Sequence, residues 1–345
     1  MFILGLLLLS FSACKKDDPI ADQPQPTIDP VKESLLATPA GFPEVEFPAD
    51  NPFSWEKWEL GKKLFYDNIL SADNAVNCGS CHKIGNAFSD VTATSKGADG
   101  ADGTRNSPTL VNVAYLPYFT REGGVPTLEM QVLVPIQEHN EFNSNIVEIA
   151  DKLNAIEAYV KMSQAAFDRN PDPYVITRAL ATFERTMISG NSDFDKYFYQ
   201  NQADALTDAA VRGMELFMSS KTNCSSCHSG FNFTDNRFTN NGLYESYSDV
   251  GRFRLTLQDS DMSVFKVPTL RNIALTGPYM HDGSLITLDE VVRHYNSGGA
   301  DHPNKGTLIK PLNLTEIEIA DLIAFLESLT DVEFTQNPFL AQDEK

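Results

Sequence analysis

Two pentapeptides, Cys78-Gly79-Ser80-Cys81-His82 and Cys224-Ser225-Ser226-Cys227-His228, hold the residue types and spacing from which chemistry can be built. Cysteines three positions apart can each form a thioether to one vinyl group of a porphyrin, and the adjacent histidine then lies under the iron as proximal ligand. Two such segments point to two covalently bound c-type haems. One zinc held by four cysteines is a competing reading, but it leaves the appended histidines without a role. Two short disulfides are another, although this spacing is more usual for redox-active or metal-bound thiols than for structural bridges.

The rest of the chain must position those segments. Its 345 residues allow two domains, and 42% hydrophobic content suits buried cores. A formal charge of −20 without any basic stripe argues against nucleic acid as a partner. A macromolecular electron donor is expected to present a positive face. Residues 2–9 are apolar and run into Ser10-Phe11-Ser12-Ala13-Cys14, which reads as a signal peptide over 1–13 rather than a membrane span. Cys14 after Ser12-Ala13 resembles the acylation site of a bacterial lipoprotein. Membrane contact is then expected only through a lipid on Cys14, facing the periplasm or the surface of a Gram-negative envelope. An ordinary signal peptide with an incidental Cys14 is the alternative. Residues 14–48, rich in Pro, Asp, Glu and Gln, read as an extended tether that cannot fold alone.

Beyond the tether the chain repeats itself. Leu60-Gly61-Lys62-Lys63-Leu64-Phe65 precedes the first Cys-x-x-Cys-His segment and Arg212-Gly213-Met214-Glu215-Leu216-Phe217 precedes the second. Phe88-Ser89-Asp90 and Phe233-Thr234-Asp235 follow, then Pro108-Thr109-Leu110-Val111-Asn112 and Pro268-Thr269-Leu270-Arg271-Asn272. Gly123-Gly124-Val125-Pro126-Thr127-Leu128-Glu129 and Gly283-Ser284-Leu285-Ile286-Thr287-Leu288-Asp289 complete the set. Four matches in one order predict two haem domains, 49–195 and 196–335, with 336–345 as a tail. Ile146, Ile149, Ala150, Leu153, Ile156 and Val160 form an apolar stripe at helical spacing. A second helix is expected from about Tyr174 to Ile188. Thr315 with Glu318 is a capping-box pattern opening a third, whose buried face is Ile319, Leu322, Ile323, Phe325, Leu326 and Leu329. No hairpin signal competes.

Residues 55–330 resemble the bacterial dihaem cytochrome c peroxidases and the related MauG-type enzymes. The resemblance rests on Glu59-Leu60-Gly61-Lys62-Lys63-Leu64-Phe65-Tyr66-Asp67, Arg105-Asn106-Ser107-Pro108-Thr109, Val267-Pro268-Thr269-Leu270-Arg271-Asn272 and Gly277-Pro278-Tyr279-Met280-His281-Asp282-Gly283. It implies a mainly α fold with two cytochrome c-like haem domains related by internal duplication, the first peroxidatic and the second electron-transferring. It implies reduction of H2O2 with electrons from a small cytochrome c or cupredoxin. MauG-like oxidation of a protein partner, or a non-enzymatic dihaem electron carrier, are the alternatives. A homodimer is a further implication. Gln131 and Glu141 match the distal amide and acid of the peroxidatic site. The chemistry agrees, because heterolysis of H2O2 needs a group that moves a proton from one oxygen to the other while an amide orients the peroxide. Asn106, Thr276 and Pro278 match the residues whose oxygens hold a calcium ion between the haems.

Three departures from the family pattern bear on mechanism. Ala98 stands where some relatives carry a distal histidine, so the first iron is expected to be open, with His139 as the competing ligand. Arg121 aligns with the family's inter-haem tryptophan; the tryptophans Trp55 and Trp58 are far upstream. Transfer between haems then falls to Tyr118, Phe119 or direct tunnelling, and Arg121 is expected to pair with haem propionates. Tyr295 aligns with the distal ligand of the second haem, with His294 and Met280 as rivals by residue type.

Overall fold

The computed structural model describes residues 30–343; Cys14 and the signal segment lie outside them. The longer elements are helices α1 (Trp55–Phe65), α2 (Ile146–Asn154), α3 (Glu157–Phe167), α4 (Pro173–Glu184), α5 (Asp208–Met218), α6 (Leu288–Ser297) and α7 (Glu316–Glu327). Long irregular connections join them. Their starts are written locally. Ser54, Asp172, Thr207 and Thr315 each accept a hydrogen bond from the first-turn backbone, and Thr315 with Glu318 completes the expected capping box.

The duplication is visible as two crossed helix pairs. In the first half α1 packs on α4, and in the second α5 packs on α7. The repeated glycine is the crossing point in both. A Cβ on Gly61 would stand 2.0 Å from the Ala179 carbonyl oxygen, and one on Gly213 would stand 1.9 Å from that of Asp321. No side chain fits there, which is why the repeat keeps glycine inside a helix at a cost of about 1 kcal/mol in propensity. The cores repeat as well. Phe65 meets Phe183 at 5.2 Å and Phe88 at 6.0 Å, and their counterparts Phe217, Phe325 and Phe233 meet at 5.0 and 6.1 Å.

Three expectations need correction. The stripe from Ile146 to Val160 is two helices, because Ile156 is extended (φ −113°) and starts α3. The side-chain amide of Asn154 donates to the Ala150 carbonyl at 2.8 Å and to that of Pro171 at 2.7 Å, which fastens the break. The helix expected to reach Ile188 ends at Glu184. A two-residue antiparallel pair, β1 (Phe238–Thr239) with β2 (Phe265–Lys266), occurs where no hairpin signal exists, since its strands are distant in sequence.

The flanking segments also do more than their composition suggests. Within the tether, Leu35 and Phe42 are buried, and Phe42 packs between Tyr115 at 6.0 Å and Phe231 at 4.7 Å, one from each half. At the other end, Phe334 and Leu340 enter the core of the first half. Tyr66 Oη donates to the Leu340 carbonyl at 2.7 Å, and Lys62 pairs with Asp343 at 2.6 Å. No helix among the described residues is long and apolar enough to cross a membrane.

Candidate functional site

The two Cys-x-x-Cys-His segments sit in matching cradles. Cys78–Cys81 is one helical turn capped by Asn77, whose side chain accepts from Ser80 N while Ser80 Oγ accepts from Asn77 N. His82 Nδ1 lies 2.9 Å from the Phe88 carbonyl oxygen, and His228 Nδ1 lies 3.1 Å from that of Phe233. Phe88 and Phe233 take left-handed backbone angles, φ 55° and 49°. The Pro-Thr blocks brace this arrangement from behind. Thr109 Oγ1 donates to the Ala87 carbonyl at 2.5 Å and Thr269 Oγ1 to the Asn232 carbonyl at 2.6 Å. A donor at Nδ1 leaves Nε2 as the ligating nitrogen, and burial pulls both imidazole pKa values down towards the neutral form a metal requires.

Among the described residues, the four cysteines of these segments are unpaired. No cluster of three or more His, Cys, Asp or Glu among the described residues is placed to hold one metal ion. The zinc and disulfide readings therefore fail. Residues Cys78, Cys81, His82 and Cys224, Cys227, His228 fit two haems.

Glu141 lies near the cysteines of the first cradle. Gln131 ends the turn Leu128–Gln131, and its Oε1 is buried with no hydrogen-bond partner. Glu141 is exposed by surface area, yet enough protein crowds its carboxyl to desolvate it. Burial, with the Glu138 charge behind it, pushes that carboxyl up to about 7. Its charge acts on both Cys78 and Cys81. Ala98 is buried, and its N–H donates to the Glu141 carbonyl at 2.6 Å. The Gly97–Gly103 loop thus lies against Glu141 with no ligating side chain at Ala98. His139 is exposed and shares a hydrogen bond with Asn143.

Beside the second cradle, burial pushes the Tyr295 phenol up, close to Cys224 and Cys227. His294 Nε2 is engaged by the Asn241 carbonyl at 3.1 Å. Met280 Sδ accepts from Asn241 Nδ2 at 3.1 Å. Tyr295 thus lies close to the cysteines of that cradle.

Between the halves, the Arg121 guanidinium is held by Asn106. Its Nη2 donates to the Asn106 carbonyl oxygen at 2.7 Å and to Asn106 Oδ1 at 3.1 Å, and Nε donates to the same carbonyl at 3.3 Å. The Thr276 hydroxyl is turned to the Ile273 carbonyl. Of the oxygens expected to hold calcium on Asn106, Thr276 and Pro278, those of Asn106 already serve a guanidinium. This set does not fit a resident calcium ion. Trp55 and Trp58 pack against one another in the first half, with Trp58 Nε1 donating to Thr186 Oγ1 at 2.8 Å.

Comparison with known proteins matches this geometry. The family model for di-haem cytochrome c peroxidase covers residues 55–203, and that for cytochrome c covers 210–330. The methylamine utilization protein MauG of Methylorubrum extorquens is 36% identical over 88% of this chain and 87% of its own length. The cytochrome-c peroxidase IdrP1 of Denitromonas iodatirespirans is 36% identical over 88% of each chain. The chain belongs to the di-haem cytochrome c peroxidase and MauG family. A solved MauG-like protein associated with microbial copper homeostasis superimposes with a TM-score of 0.84 at 34% identity, covering 88% of this chain and 97% of that one. Membership in this peroxidase and MauG family implies haem c at the two Cys-x-x-Cys-His segments.

Two participants in the sites of this family member escape sequence reasoning. Asn241, which organises Met280 and His294, is one asparagine in a loop and carries no signal. Glu184, buried at the end of α4 and unpaired with any cation, has its carboxyl pushed up to about 8 by burial. It lies near Cys78. Its neighbour Arg185 is spent on Glu129, with Nη1–Oε1 at 2.6 Å and Nη2–Oε2 at 2.9 Å.

Proposed function

We propose that this protein reduces hydrogen peroxide at the haem of the first half, H2O2 + 2 e− + 2 H+ → 2 H2O. The observation that carries this reading is the Glu141 carboxyl, held near 7 beside a loop that offers only Ala98. Haem iron, when bound, supplies the redox chemistry. The chain supplies the rest. His82 is oriented by the Phe88 carbonyl, and Gln131 presents an unsatisfied buried amide oxygen to a peroxide O–H. Glu141 accepts a proton from one peroxide oxygen and returns it to the other, so that water leaves. An electron carrier would need neither group.

Electrons from a small redox protein would enter at the His228 cradle and cross the junction. Tyr118 supports such a path: its ring stacks on Phe238 of the second half at 5.2 Å, and its hydroxyl donates to the Asn236 carbonyl. Phe119 is buried within the first half. Tyr295 would be the further residue holding the iron of the second haem. That assignment also keeps a MauG-like oxidation of a protein partner as the second reading, because a phenolate holds iron at a lower potential than a thioether.

Glu141→Gln and Gln131→Ala each test the proposal. Steady-state peroxide turnover is expected to fall by about 10²–10⁴-fold in Glu141→Gln, with haem attachment unchanged. Wild-type turnover in both variants would sink the mechanism.

A further inference from the structure

The junction between the halves is fastened around one side chain. Arg121 belongs to the first half, and its own carbonyl accepts from Lys266 N of the second half at 2.7 Å. Its guanidinium grips both oxygens of Asn106, and Asn106 N in turn donates to the His281 carbonyl of the second half at 2.9 Å. Acidic charge surrounds this point from both halves: Glu122, Asp249 and Asp282 all act on Arg121. Arg105 answers part of it, meeting Asp249 at 2.6 Å and Glu122 at 2.5 Å. Burial and the nearby Arg105 lower the Arg121 pKa only to about 10, so the guanidinium stays charged at neutral pH.

We propose that the Arg121 guanidinium is the resident cation of this junction, taking the Asn106 oxygens that a calcium ion would otherwise take, so that the two halves stay together without calcium. A divalent ion placed on Asn106 would displace the guanidinium from its acceptors and meet a like charge in a poorly solvated site. A guanidinium differs from calcium in two useful respects: it cannot dissociate, and its planar donors fix the direction of the Asn106 oxygens. The junction is then set by the covalent chain and is indifferent to the supply of the metal.

The test uses the full protein carrying both haems. After passage through calcium chloride and desalting, metal analysis is expected to find no stoichiometric calcium. Calorimetric titration with calcium chloride is expected to give no binding, and EGTA to leave the haem absorption spectrum and thermal midpoint unchanged. One retained equivalent of calcium, or a spectral change with EGTA, overturns the proposal. Arg121→Gln is expected to lower the thermal midpoint and to acquire calcium binding that restores it, where sodium chloride at equal ionic strength does not. A midpoint equal to wild type with no calcium binding in Arg121→Gln would also overturn it. If that variant fails to accumulate, the wild-type titration decides alone.

Discussion

A carboxyl that titrates near neutrality gives Glu141 a pH signature. Its ordinary value is 4.5, and burial raises it to about 7. Below that value the group already holds a proton and cannot take one from peroxide. The second-order rate constant with H2O2 is therefore expected to rise with pH and level off above about 7, and stopped-flow mixing reads it directly. Glu141→Gln should flatten the profile as well as lower it. The same shift has an opposite effect on stability. Between 4.5 and about 7 the folded state binds a proton that the unfolded state has released, so Glu141 costs stability as pH rises through that window. The types of Glu141 and Gln131 were legible from the family pattern. The raised carboxyl was not, because desolvation depends on which segments close over the side chain.

The elements that carry the haems repeat down to a single carbonyl contact. Gly61 and Gly213 each face a backbone oxygen of the crossing helix, at 2.0 and 1.9 Å from where a Cβ would stand. Gly61→Ala and Gly213→Ala are expected to cost about 1–3 kcal/mol each as the helices are forced apart. Thermal unfolding followed by haem absorption would measure it, and equal stability in either variant would mean the crossing is not tight. The repeat itself was readable because a glycine inside a helix, four residues before Phe65 in one half and Phe217 in the other, is a costly choice twice made. The division of Ile146 to Val160 into α2 and α3 was hidden. Both helices keep the apolar spacing, and the break is enforced by Asn154 reaching Pro171.

At the scale of the molecule, the halves are joined by segments that look dispensable in sequence. Phe42 in the tether touches both halves, and Leu340 near the end returns to the first core. Leu340 is only 1% exposed, so Leu340→Ala is expected to destabilise the first half by about 2–4 kcal/mol. A thermal scan resolving the two haem environments should show the loss in the first half, and an unshifted midpoint would remove the segment from the core. Composition could not have revealed this. Proline-rich and acidic stretches average to a tether, while single apolar side chains within them decide where they dock.

By itself the sequence determined what is covalent or locally encoded: two Cys-x-x-Cys-His haem attachments, the capped helix starts, and a duplication marked by glycine, phenylalanine and proline-threonine blocks. Those features depend on neighbours a few residues away. Only the tertiary structure decided which groups share a low-dielectric space and which charges meet. It brought Tyr295 close to the cysteines of the second cradle, left Gln131 Oε1 without a partner, and turned Arg121 onto Asn106. Those outcomes depend on contacts between residues far apart in the chain, and no local pattern encodes them.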